Sequence, residues 1–201
     1  MQLSIKHNFP DVERQMARLQ RDIADKAMAR TLNATVAQAR TQMTRQITSE
    51  FTLPRAKVVE RLRVDRARYK AGAVLLEAAL VATNRKGRYR SLNLINFKPR
   101  MGTRGLTIQI RKGAGRKTIK AAFIGNKGRT VFERVSGTKM ESRAKYRGVH
   151  AERIKPVQTI DVSQMFNTRR INTVVRRVIA ERLPIIFKRE LAFVLRQAGG
   201  R

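Results

Sequence analysis

Apolar residues recur mostly every three or four positions through Val12, Met16, Leu19, Ile23, Ala27, Leu32, Val36, Ala39, Met43 and Ile47, which is the stripe of an amphipathic helix. Pro10 and Asp11 supply a start signal, because the Asp oxygen accepts orphan amide bonds and its charge suits the positive helix end. The pattern predicts one helix from Asp11 to about Ser49, or two helices with a break near Asn33 to Thr35. Pro54 suits the first turn of a second helix, expected over Pro54 to Arg68, with Val58, Val59 and Leu62 as its apolar face. Arg55, Lys57, Arg61, Arg63, Arg66 and Arg68 cover the rest of that helix, as a solvated face or as an anion-contacting one.

The period then changes. Ala73 to Thr83 carries an apolar run, Asn93 to Phe97 is short, and Leu106, Ile108 and Ile110 alternate with Thr107, Gln109 and Arg111. Lys117 to Ile124 and Arg129 to Val135 are further extended segments between Gly-containing turns, and Val157 to Val162 is a last one after Pro156. Two segments, Thr83 to Ser91 and Gly137 to Val149, hold Lys, Arg, Gly and Ser with almost no apolar anchor and read as loops. Ser163 is an expected cap for a C-terminal helix carrying Phe166, Ile171, Val174, Val175, Val178 and Ile179, which Pro184 should kink or divide. Ile185, Ile186, Phe187, Leu191, Phe193, Val194 and Leu195 follow as the densest apolar patch of the chain.

The predicted class is α+β: a long N-terminal helix, a small, mainly antiparallel central sheet with basic loops, and a C-terminal helix. The corresponding regions are 1–68, 69–162 and 163–201. At about 150 residues per domain, 201 residues make one domain with helical arms. The longest apolar stretch, Ala71 to Ala82, is interrupted by Glu77 and is too short to span a bilayer, so no membrane partner is expected.

Charge alters this picture most. Lys and Arg number 45 against 14 Asp and Glu, a net +31, and self-repulsion on that scale calls for a polyanion or an acidic partner. Residues 85–155 hold 21 of the cations and three acids, Glu133, Glu141 and Glu152. Arg85, Lys86, Arg88, Arg111, Lys112, Arg116 and Lys117 are the candidate polyanion contacts, with solvated loop charge as the other reading. Contact with DNA would be through its backbone, since there is no zinc-finger spacing, RNP-like aromatic motif or tryptophan.

Catalytic chemistry finds little support. The chain has no cysteine, and its two histidines, His7 and His150, fall in no metal-ligand or triad pattern. Asp22 and Asp25 lie among Arg21 and Lys26, which favours surface ion pairs over acid-base work. Gly113 to Thr118 lacks the spacing of a phosphate loop and reads as a basic turn between strands. No catalytic residue, metal site or cofactor is expected.

Several strings resemble a known family. Arg30 to Thr35 with Ala39-Arg40-Thr41, then Leu53-Pro54-Arg55-Ala56 with Val58 and Arg61-Leu62, resemble the N-terminal half of the phage minor tail protein Z family. Lys117 to Ile124 and Thr130 to Arg134 resemble its central sheet, in which an Ala-Phe-Ile segment precedes a Val-Phe-x-Arg segment. Ile154 to Val157 is similar to its Pro-containing strand and Ser163 onward to its closing helix, while Met140 to Arg153 departs from its Arg-Leu-Pro-Ile pattern.

The resemblance implies a tail-completion protein at the head-proximal end of the virion tail, assembled in the host cytoplasm. It further implies a homo-oligomeric ring, sixfold by analogy with phage necks, beside tail terminator, tail tube or tape measure proteins and near the DNA path. Leu191, Phe193 and Val194 are then candidate subunit contacts, or else intrasubunit core. A free, sequence-nonspecific nucleic-acid-binding packaging or chaperone protein is the rival reading, and a basic nuclease the third.

Overall fold

A computed structural model of the chain describes residues 2–5, 21–70, 73–82, 91–139 and 152–199. Its class is α+β, and its contacts group into two units: residues 1–47, 58–89 and 162–201 form the first, and residues 48–57 and 90–161 the second.

The first unit is dominated by helices. α1 runs unbroken over Arg21–Glu50 and buries Ala24, Ala27, Met28, Leu32, Val36, Ala39, Met43 and Ile47, the predicted stripe. The part expected between Asp11 and Gln20 lies outside the described residues. No break occurs at Asn33. Instead its side-chain Nδ2 donates to Ala67 O and its Oδ1 accepts from Ala67 N, both at 2.9 Å, so this polar position clasps a distant peptide unit. The buried hydroxyls of Thr31 and Thr44 each donate to the carbonyl four residues back, at 2.8 Å, which satisfies them without leaving the helix.

The second expected helix is much shorter. α2 covers Arg55–Glu60 and gives way to β2, Leu62–Asp65. Leu62 and Val64 alternate with Arg63 and Asp65 and pair with Ala82 and Leu80 of β5, Ala78–Ala82, so sheet pairing takes the backbone groups that a longer helix would have used. The six cations of residues 55–68 therefore share no helix face. β3, Arg68–Lys70, pairs with β4, Ala73–Leu75, and β1, Gln2–Ile5, completes the antiparallel order β1-β5-β2. Ala78, Ala79, Leu80 and Ala82 are all buried, as expected of a central strand covered on both faces.

The second unit holds small antiparallel sheets. β6, Leu92–Asn93, is followed by a 3-10 turn over Leu94–Phe97, where an extended segment was expected. Asn93 causes this, because its side chain accepts the Ile95 amide and caps the turn. β7, Arg100–Gly102, β8, Gly105–Ile108, and β9, Lys117–Ile119, form one sheet. Gly105 sits at φ +118°, and a Cβ there would lie 2.6 Å from the Ile119 carbonyl oxygen, so only glycine fits this tight β7–β8 turn.

The expected strand Lys117 to Ile124 is two strands, with Lys120 and Ala121 turning the chain into β10, Ala122–Gly125. β10 pairs with β11, Thr130–Lys139, and β11 with β12, Glu152–Pro156, in the order β10-β11-β12. Only β13, Gln158–Thr159, occupies the segment expected to be extended after Pro156, and it pairs with β6. The expected loops 83–91 and 137–149 lie largely outside the described residues, and Gly137 to Lys139 belong to β11.

The chain then returns to the first unit. α3, Val162–Phe166, already includes Ser163 in its first turn, and the long helix α4 begins only at Arg169 and reaches Gly199. Pro184 does not divide α4: Leu183, Ile186 and Phe187 are buried on either side of it, and Ala180, whose carbonyl loses its partner, is exposed to water.

Candidate functional site

The β8–β9 connection carries four of the predicted cations, and the structure uses them differently. Arg111 forms a β-bridge with Phe51, flanked by Thr52 N donating to Ile110 O and Lys112 N donating to Glu50 O, both at 2.9 Å. The Arg111 guanidinium lies 5.5 Å from the centre of the Phe51 ring, a cation-π contact on a fully buried aromatic. Lys112 donates its Nζ to Thr48 O at 2.7 Å. The last turn of α1 contains no basic residue, so Lys112 supplies the missing cation to a negative helix end from a distant place in the chain.

Gln109 braces the turn by donating Nε2 to Lys112 O at 2.9 Å and to Ala114 O at 2.8 Å. Gly113 and Gly115 lie in open space, and a strand, not a helix, follows, so this is a basic turn and no phosphate loop. Lys117 is exposed on β9 in register with Ile108, and strand alternation sets it on the opposite sheet face from Thr107 and Arg100. Arg85, Lys86 and Arg88 lie outside the described residues.

Arg116 belongs to a different arrangement. It lines a cleft of about 140 Å³ together with Thr52, Phe97, Lys98, Arg100, Thr107, Ile108 and Gln109. Sequence reading did not single out Lys98, Arg100 or Thr52. The available signal was the Asn93-capped turn running into Lys98-Pro99-Arg100: Lys98 takes the left-handed conformation that ends the 3-10 turn, at φ 50° and ψ 58°, and sends the chain into β7.

In the first unit, a cavity of about 440 Å³ is lined by Asp22, Lys26, Tyr69, Val194 and Gln197 among others. Asp22 lines it and Asp25 does not, although the charges of both acids act on Tyr69. Desolvation, the charge of Asp22, the hydrogen bond to it and the charge of Asp25 raise the Tyr69 pKa above its ordinary value. Among the described residues no group of acids and histidines is placed to hold a metal ion; both histidines fall outside them. No described helix is long and apolar enough to cross a membrane.

The three candidate contact residues on α4 also differ. Val194 is buried, Leu191 half-buried, and Phe193 is 37% exposed beneath Arg30, whose guanidinium lies 4.4 Å from the ring centre. Ile185 and Leu195 add further exposed apolar surface to the same helix.

Compared with known families, the chain is matched over residues 11–200 by the family described as prophage minor tail protein Z (GPZ). No curated protein and no solved structure matches it.

Proposed function

This chain belongs to the prophage minor tail protein Z family and is a structural component of a phage tail, and from that premise we propose that it completes the tail at its head-proximal end. In this reading it has no enzymatic activity and assembles as a closed ring, sixfold by analogy with phage necks, against tail terminator, tail tube or tape measure proteins. The observation that carries the reading is the match along nearly the whole chain.

Two physical features support the finer parts. A net charge of +31 is tolerable on a protein packed beside the genome, with Arg85, Lys86, Arg88, Arg116 and Lys117 toward the DNA path and Arg111 and Lys112, engaged on Phe51 and Thr48, bracing the turn that carries the last two. Exposed Phe193 and half-buried Leu191, backed by buried Val194, offer α4 as a subunit contact.

Imaging of intact particles tests this. A ring of density at the junction of tail tube and head connector, identified by labelling this chain, is the expected result. Its presence in infected-cell lysate but never in particles overturns the assignment and favours a free nucleic-acid-binding factor.

A further inference from the structure

We infer that the cleft bounded by Lys98, Arg100 and Arg116 seats one phosphate group of a nucleic-acid backbone. The inference rests on the proposed position beside the DNA path only for the source of the phosphate; the seat itself is a property of the second unit.

Three separate pieces of chain deliver the cations. Lys98 follows the 3-10 turn, Arg100 lies on β7 directly opposite Thr107, and Arg116 precedes β9. Among the described residues, none of the three forms an ion pair and no acid lines the cleft. Other cations are engaged elsewhere: Arg111 on Phe51, Lys112 on the carbonyl end of α1, and Lys155 on Glu133 at 3.3 Å. Unpaired like charges held together raise the free energy of the empty cleft, and an anion lowers it.

The surroundings strengthen the attraction. Phe97, 1% exposed, is an apolar wall that screens the charges less than water would. Thr52 is held by its backbone bond to Ile110, yet its hydroxyl is buried and has no hydrogen-bond partner, so an oxyanion in the cleft would supply the acceptor it lacks. Gln109 has both amide donors committed to the turn and acts as a brace, not a ligand.

Size and charge choose the occupant. A volume of about 140 Å³ takes one tetrahedral oxyanion with a few waters, at roughly 30 Å³ per water, and leaves no room for a stacked base. A lone carboxylate would leave most of the local positive charge unmatched. A duplex backbone continues on either side of the seated phosphate with one negative charge per about 1.7 Å of axis. Recognition of this kind is indifferent to sequence.

The test measures binding of a fluorescent mixed-sequence duplex of about 20 base pairs to the full chain across a series of NaCl concentrations. Three proteins are compared: wild type, the cleft variant Lys98→Gln/Arg100→Gln/Arg116→Gln, and a control, Lys120→Gln/Arg129→Gln/Arg153→Gln, which removes the same charge from exposed positions of the same unit. The cleft variant should lose more than about tenfold in affinity and flatten the salt dependence by about one phosphate contact, against less than about threefold for the control. Thr52→Val, which changes no charge, should weaken binding by about threefold to tenfold with an unchanged salt slope and an unchanged or raised melting temperature.

Equal losses in the two triple variants overturn the seat. So does a poly-glutamate competitor that binds as tightly as the duplex and depends equally on the cleft residues. The tail assignment is scored separately by particle incorporation: a chain found in particles with equal losses keeps its tail role without the seat, and a chain absent from particles with a selective loss keeps the seat without that role.

Discussion

The two units of this chain are held together in different ways. The first stacks helices of 30 and 31 residues and buries many interchangeable apolar side chains: Leu32, Val36, Met43 and Ile47 on α1, and Ile171, Val175, Leu183 and Phe187 on α4. The second has short strands and relies on one polar hub. Asn93 Nδ2 donates to Val131 O at 3.0 Å and Val157 O at 2.9 Å, while its Oδ1 accepts from Val131 N at 2.8 Å and Ile95 N at 3.1 Å. Apolar burial is non-directional and spread over many residues, whereas these four directional bonds depend on one side chain, and the two that its Oδ1 accepts hold backbone amides in place. The helical unit should therefore lose stability in proportion to volume removed, and the strand-built unit should be sensitive at a single position.

Phe187→Ala gives the largest expected effect, because Phe187 is fully buried: about 3–5 kcal/mol of destabilisation, with amide-exchange protection falling first in α1 and α4. Asn93→Ala removes almost no apolar volume but takes the acceptor from the amides of Val131 and Ile95, while the Val131 carbonyl keeps its bond from Val157 N, so a loss of about 2–3 kcal/mol is expected, with exchange rising in β11 and the 3-10 turn. Asn33→Ala is the comparator. It unclasps one peptide unit, at Ala67, and its smaller loss, about 1–2 kcal/mol, should leave α1 helical, since the buried stripe on either side is intact. If Asn93→Ala proves no worse than Asn33→Ala, the contrast between the units fails.

That contrast also explains what could be read from sequence. Both long helices were legible because a stripe repeated over 30 residues outweighs single interruptions: neither Asn33 nor Pro184 stops its helix. Residues 62–65 were misread as helix because Leu62 and Val64 fit either period, and their partner, Leu80 to Ala82, lies too far along the chain to be seen locally. The 3-10 turn after Asn93 depends on Val131 and Val157, again distant. For the candidate site, sequence singled out the β8–β9 turn and read its cations as one group. Three-dimensional pairing separates Arg111 and Lys112, which are engaged with Phe51 and Thr48, from Arg116, and brings in Lys98 and Arg100, whose Lys-Pro-Arg string carries no recognisable motif alone.

A smaller test concerns the one buried acid of α4. Glu190, its side chain 9% exposed, accepts from Arg30 Nε at 2.8 Å and from Arg189 Nη2 at 2.9 Å. Desolvation raises its pKa, but the hydrogen bonds from Arg189 and Arg30, with their charges, outweigh that and hold it below its ordinary 4.5. The unfolded chain thus takes up this proton first as pH falls. The contribution is complete above the unfolded value near 4.5 and disappears as pH drops through the lower folded value. Glu190→Gln should remove that acid-side dependence from melting curves and lose about 1 kcal/mol at neutral pH, a modest figure because both arginines are largely solvated.

Lys112→Met should have the smallest effect and bears most directly on how the basic turn is read. The ammonium caps Thr48 O at a helix end that has no cation of its own, so its loss should reduce stability by about 0.5–1 kcal/mol, less as salt is raised, with faster exchange in the last turn of α1. The Lys112 backbone bond to Glu50 remains, which keeps the turn in place. If Lys112 serves mainly as that cap, Lys112→Met should weaken DNA binding no more than loss of any single exposed cation. A loss matching that of Arg116→Gln would mean that the cap and the anion surface are one structure, and the two roles separated here would have to be merged.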